Sequence, residues 1–133
     1  MKKILLATIA RTYANAGIHA EQCACYTLTG IIKPHNNKPF WAGGDIGGLQ
    51  VKSARATVCA GTDICAHLAL DAATSYGYVT KDFKSMYIMS RDEYRDFVLT
   101  FGCTTVDSRT GETKTRLKHE SIAMEMYLRE HTA

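Results

Sequence analysis

Proline is scarce in this chain, with only Pro34 and Pro39 among 133 residues, and both fall in one short polar stretch. The ring fixes φ and removes a backbone donor, so proline interrupts regular structure at a single place. Long apolar runs are missing too, and no stretch approaches the ~20 residues of a membrane span. The opening Met1-Lys2-Lys3-Ile4-Leu5-Leu6 has the charged start of a signal peptide, but Thr8 breaks its apolar run and Arg11 ends it. A strand or helix start is expected there instead. The five cysteines, Cys23, Cys25, Cys59, Cys65 and Cys103, form an odd set without a C-x-x-C pair. Nothing in them looks like a secretory framework, and a reduced cytoplasmic setting fits best. With His19 and His67 they make a zinc cluster conceivable, although the spacing is poor and buried free thiols are the simpler account. Carboxylates are few in the first half, where Glu21, Asp45 and Asp63 stand against Lys2, Lys3, Arg11, Lys33, Lys38, Lys52 and Arg55.

The chain is nonetheless 46% hydrophobic, enough at this length for one globular domain spanning 1–133. A net charge of +3 and a pI near 8.6 suit a phosphate-bearing partner without requiring one.

Residues Gly43 to Ser53 carry the most chemistry. Gly47-Gly48 suits a two-residue hairpin loop, because both positions tolerate positive φ. Such a loop pairs Ile46 with Leu49 and Asp45 with Gln50, and strand alternation puts Lys52 beside Gln50. One face is then polar, and the other is Ile46, Leu49 and Val51. Opposed side chains have Cβ atoms about 5 Å apart, close enough for the Asp45 carboxylate and the Gln50 amide oxygen to share a divalent cation. The glycines weaken strand propensity around the acid, which fits close approach of another group, while tight turns alone also explain them and the polar face can equally be that of a solvated β-ribbon.

This arrangement of an acid, a short gap, then Gln50-Val51-Lys52 resembles the PD-(D/E)XK nuclease superfamily. The glutamine with its Gly-rich approach looks like the Mrr-type restriction branch, and Gly17-x-x-x-Glu21 resembles the first helix of archaeal Holliday-junction resolvases. The likeness covers residues 15–57. It departs from the family pattern in lacking a proline before Asp45 and in the shortness of the gap to Gln50. It implies a restriction-endonuclease-like α/β fold, a single domain with a central mixed β-sheet flanked by helices. It also implies Mg²⁺ or Mn²⁺ held by Asp45, Gln50 and Glu21, with Lys52 completing the catalytic set. Glu21 can equally be a solvated helix carboxylate.

Around this motif, Asn15 caps a helix to about Leu28 and Gly30 stops it. Ala14, Gly17 and Ala24 share the face of Glu21 and would let the helix lie close to the hairpin. The strand from Leu49 is expected to run on to Cys59, followed by a helix from Asp63 to about Ser75. Strands are expected at Tyr76–Thr80 and Ser85–Met89, joined by a turn at 81–84, with Tyr76, Tyr78 and Tyr87 as core or sheet-pair aromatics. Ser90 and Glu93 form a capping box for a helix burying Tyr94, Phe97, Val98 and Phe101. Strands flank the turn at 107–112, and a last helix from Glu120 or Ser121 packs Ile122, Met126 and Leu128 inward.

Candidate nucleic-acid contacts are Lys33, His35, Asn36 and Lys38 in the proline-fenced loop, Ser53 and Arg55 after the motif, and Lys114, Arg116 and Lys118 alternating on a late strand. The loop is also compatible with an ordinary exposed turn, and His35-Asn36-Asn37 lacks the further histidines of an HNH nuclease. The expectation is a Mg²⁺-dependent DNA endonuclease, restriction-like or junction-resolving, of a phage or mobile element. It would have no membrane partner, and cutting both strands of a duplex would favour a homodimer. The alternative is a non-catalytic nucleic-acid-binding module on a nuclease-like fold.

Overall fold

A computed structural model describes residues 1–32, 46–53, 57–60, 73–106, 108–111, 113–117 and 122–132, with backbone alone for 57–60, 102–105, 113–117 and 122–125. In chain order the elements are β1 (Lys2–Leu5), α1 (Ala16–Thr29), β2 (Leu49–Ser53), β3 (Thr57–Ala60), β4 (Ser75–Val79), β5 (Ser85–Ser90), α2 (Arg91–Phe101), β6 (Gly102–Val106), β7 (Thr113–Leu117) and α3 (Ile122–Glu130). They form a small α/β domain. A four-stranded mixed sheet runs β1-β5-β4-β2, in which β2 lies parallel to β4 and the other pairs are antiparallel.

The expected single central sheet divides into two. Strands β3, β7 and β6 make a separate three-stranded antiparallel sheet, so the strand expected from Leu49 to Cys59 is divided between Leu49–Ser53 in one sheet and Thr57–Ala60 in the other. Ser75, expected at a helix end, instead opens β4 and pairs with Leu49 and Ser90. The side-chain period of two in Ser75–Val79 fits a strand, and the pairing partners on both sides complete its backbone bonds. The body of the helix expected from Asp63 lies outside the described residues.

Local signals set the helix ends. Asn15 Oδ1 accepts the Ile18 N–H at 3.0 Å, and Gly30, left-handed at φ 75°, donates its N–H to the Tyr26 carbonyl. At the start of α2, Ser90 N–H donates to Glu93 Oε1 at 3.0 Å and Glu93 N–H to Ser90 Oγ at 3.2 Å, a reciprocal capping box.

Along its two inner strands the four-stranded sheet is buried on both faces. On one face Tyr76, Tyr78, Tyr87 and Met89 pack under Tyr94, Phe97 and Val98 of α2 and Leu128 of α3. The Tyr76 and Tyr94 rings stack at 4.2 Å, and Phe97 meets Tyr78 edge-on at 5.2 Å. On the other face Leu49, Val51, Val79 and Met86 pack against Ala20, Cys23 and Ala24 of α1, whose small side chains let the helix lie close. On α3 Leu128 is buried as expected, Met126, also expected to point inward, is 51% exposed, and the Ile122 side chain lies outside the described ones.

The Gly47-Gly48 turn is present, with reciprocal Ile46 and Leu49 backbone bonds at 3.0 and 2.9 Å. Of its two glycines only Gly47 has positive φ, 58°. Gly48 is required for another reason: its carbonyl accepts the Thr74 and Ser75 N–H groups, and a Cβ built on it would stand 2.5 Å from Thr74 Oγ1. The turn is thereby pinned to the start of β4. Gly48→Ala is expected to destabilise the fold by about 1–3 kcal/mol through this overpacking, and Gly48→Ala/Thr74→Ala to recover most of the loss. Urea unfolding of the three proteins measures it, and a double variant no more stable than Gly48→Ala would locate the strain elsewhere.

Candidate active site

Strand β2 follows the turn, and alternation divides its side chains. Leu49, Val51 and Ser53 are buried on the α1 face, and Gln50 and Lys52 are half-buried on the opposite one. The parallel register sets Gln50 beside Tyr76 and Lys52 beside Tyr78, so both belong to the α2 face, at the margin of the aromatic layer. Among the described strands β2 is outermost, which leaves the two polar side chains bordering the sheet rather than enclosed by it.

The other expected site residues do not all join them. Glu21 is half-buried on α1, the helix that packs against Leu49 and Val51, so the sheet stands between its backbone and the face of Gln50 and Lys52. The resemblance to a resolvase helix places Glu21 by sequence interval alone, whereas the period of two in β2 decides which face meets that helix. Ser53, expected to contact phosphate, is 5% exposed on the α1 side and faces away from Lys52. Among the described residues Thr74 approaches Gly48 of the turn, and its Oγ1 occupies the space that a Cβ there would need. Asp45, Lys33, His35, Asn36, Lys38, Arg55 and Lys118 lie outside the described residues. Lys114 and Arg116 are on β7, the middle strand of the second sheet, opposite Thr105 and Cys103 of β6 and Ala60 and Thr57 of β3.

A Mg²⁺ site commonly uses one or two carboxylates, several waters and substrate phosphate oxygens. Of the three expected ligands, Gln50 carries an amide oxygen and Glu21 a carboxylate on the other side of the sheet, and Asp45 lies outside the described residues. Among the described residues no group of three or more His, Cys, Asp or Glu is placed to hold a metal.

His19 and Cys23 form a different polar pair, one turn apart on α1, with Nε2 and Sγ 3.5 Å apart and both residues buried. Burial pushes the Cys23 thiol up, and burial together with the neighbouring Arg11 charge pushes the His19 imidazole down, so both are held neutral. Cys25 turns elsewhere, its Sγ 3.6 Å from Thr29 Oγ1. These two cysteines are buried free thiols.

One basic cluster has no signal in the sequence. Lys3, Lys81, Lys84 and Arg129 meet at the opposite margin of the sheet, and they come from β1, the 81–84 turn and α3. No local spacing joins residues so far apart in the chain. Scanning family models, curated proteins and solved structures returns no match to this chain.

The neutral His19 makes stability depend on pH. Its folded pKa lies below the unfolded value near 6.5, so the unfolded state binds the extra proton first as pH falls. Stability is therefore full above about pH 6.5 and declines below it, until the pH passes the folded pKa. Urea unfolding at pH 7.5 and about 5.5 should show a smaller loss for His19→Gln than for the parent chain. An equal loss in both proteins would assign the acid sensitivity to other groups.

Proposed function

We propose that the protein is a Mg²⁺- or Mn²⁺-dependent endonuclease that hydrolyses DNA phosphodiester bonds. The observation that carries the reading is the side-by-side placement of Gln50 and Lys52 on one face of β2, directly after the Gly47-Gly48 turn. In this site Asp45 would be the anionic metal ligand and Gln50 a neutral carbonyl ligand. A bound Mg²⁺ would neutralise charge at the scissile phosphate and acidify a water. The Lys52 ammonium orients the attacking water and offsets negative charge on the phosphoryl oxygens as the new P–O bond forms and the alkoxide departs. Any part of Glu21 is confined to water-mediated contact around the margin of β2.

A restriction-like or junction-resolving role, a cytoplasmic location and action as a homodimer belong to the same proposal, because two sites related by a two-fold axis can cut both strands of a duplex. The position of α1 favours one competing reading, a nucleic-acid-binding module without catalysis, since among the described residues it sets Glu21 on the side of the sheet away from Gln50 and Lys52.

Asp45→Ala and Lys52→Ala should each lower Mg²⁺-dependent nicking of supercoiled DNA by about 10²-fold or more, with unfolding midpoints retained. Gln50→Glu adds charge next to Asp45 and should tighten Mg²⁺ binding, whereas Gln50→Leu, without an oxygen, should weaken it. Glu21→Gln should leave the Mg²⁺ dependence unchanged. Calorimetric metal titration and a nicking assay on these proteins check the set. Equal metal affinity in the three Gln50 proteins would remove this residue from the site, and DNA binding without cleavage by the parent chain would establish the binding module.

A further inference from the structure

The turn between β4 and β5 is held rigidly. Thr80 Oγ1 donates to Asp82 Oδ1 at 2.6 Å, the Lys84 N–H donates to the same oxygen at 3.0 Å, and the Thr80 N–H donates to the Ser85 carbonyl at 3.0 Å. Phe83 sits at φ 59°, a left-handed conformation costly for an aromatic residue, and its ring packs edge-on to His19 at 4.7 Å with the Arg11 guanidinium 5.1 Å from its centroid. With Phe83 anchored on the α1 side, Lys81 and Lys84 are presented towards β1. There an open cleft of about 470 Å³ is lined by Lys3, Lys81, Lys84 and Arg129 around Tyr87. All four cations are exposed, and Lys3 Nζ lies 5.8 Å from the Tyr87 ring centroid.

One carboxylate, Asp82, opposes the four cations in this lining. Its Oδ1 is already engaged by the turn, and the Thr80 hydroxyl bond holds its carboxyl below the usual range. The cleft therefore carries an excess of positive charge on a preorganised frame. Its position is also defined relative to the proposed site: Lys3 pairs with Tyr87, Tyr87 with Tyr78 and Tyr78 with Lys52, so Lys3 and Lys52 end one row across the sheet. Three strand spacings of about 4.8 Å separate their backbones by roughly 14 Å.

We propose that this cleft is a second phosphate-binding site, taking the sugar-phosphate backbone of a nucleic acid through Lys3, Lys84 and Arg129, with Lys81 at its rim. Arg129 supplies a planar fork suited to two phosphate oxygens, and the lysines supply point charges. The choice of DNA as the polyanion rests on the nuclease reading, but the anion site itself does not.

The test is equilibrium binding of a duplex of arbitrary sequence by fluorescence anisotropy in EDTA across a salt series. Lys3→Gln/Lys84→Gln/Arg129→Gln should lower the slope of log affinity against log salt by about 2 to 3, at ~0.9 for each phosphate that is no longer neutralised. Lys3→Arg/Lys84→Arg/Arg129→Lys keeps the charges and should retain the parent slope, which separates removal of charge from failure to fold. A parent slope in the glutamine variant, or binding of anionic phospholipid vesicles that the variant loses while its DNA binding is unchanged, would overturn the proposal. Failure of the parent chain to nick DNA, with the slope change intact, removes the nuclease reading and keeps the cleft. Nicking by the parent with no slope change does the reverse.

Discussion

The packing of Tyr76 and Tyr78 beneath Tyr94 and Phe97 is the constraint on which the remaining geometry depends. Strand β4 is central and buried on both faces, so its phase is fixed: the tyrosines point to α2, and Val79 points to α1. A slip of one residue would send the tyrosines to the wrong layer. Register with β4 then fixes the phase of β2, and with it the face taken by each of Gln50, Val51, Lys52 and Ser53. Through β5 the same tyrosine row sets the phase of β1 and places Lys3. The polar residues bordering this sheet owe their positions to an aromatic layer that they barely contribute to.

Much of this is legible in the sequence where the signal is local. The caps at Asn15, Gly30 and Ser90/Glu93, the Gly47-Gly48 turn and the β4 to β5 hairpin each rest on residues a few positions apart. The buried state of Tyr76, Tyr78 and Tyr87, and of Cys23 and Cys25, also matches expectation. Features set by tertiary pairing are not legible. The assignment of β2 and β3 to two different sheets depends on partners contributed by β4 and β7. In the sequence Gly48 reads as a conformational requirement, but it is a steric one imposed by Thr74, 26 residues on.

For the candidate site, alternation in β2 correctly joins Gln50 to Lys52, because a strand's faces can be read from sequence once its phase is known. The layer occupied by α1 cannot be read in this way. An interval between Glu21 and Asp45 contains no information about which side of a sheet the helix covers. The result is a proposed centre built on one strand margin from Asp45, Gln50 and Lys52, with a separate basic cleft at the other margin. Both margins border the tyrosine layer, so both should resist local unfolding more than an exposed loop would.

The central proposal is that a divalent cation binds through Asp45 and Gln50, on the side of β2 away from α1. Replacing Mg²⁺ with Fe²⁺ and adding ascorbate generates hydroxyl radicals that cut the polypeptide near the bound metal, and mass spectrometry locates the cuts. Cuts clustered within residues 45–52 and suppressed by excess Mg²⁺ are the predicted result. Cuts concentrated in 17–24 of α1, or cuts that Mg²⁺ does not suppress, would contradict it.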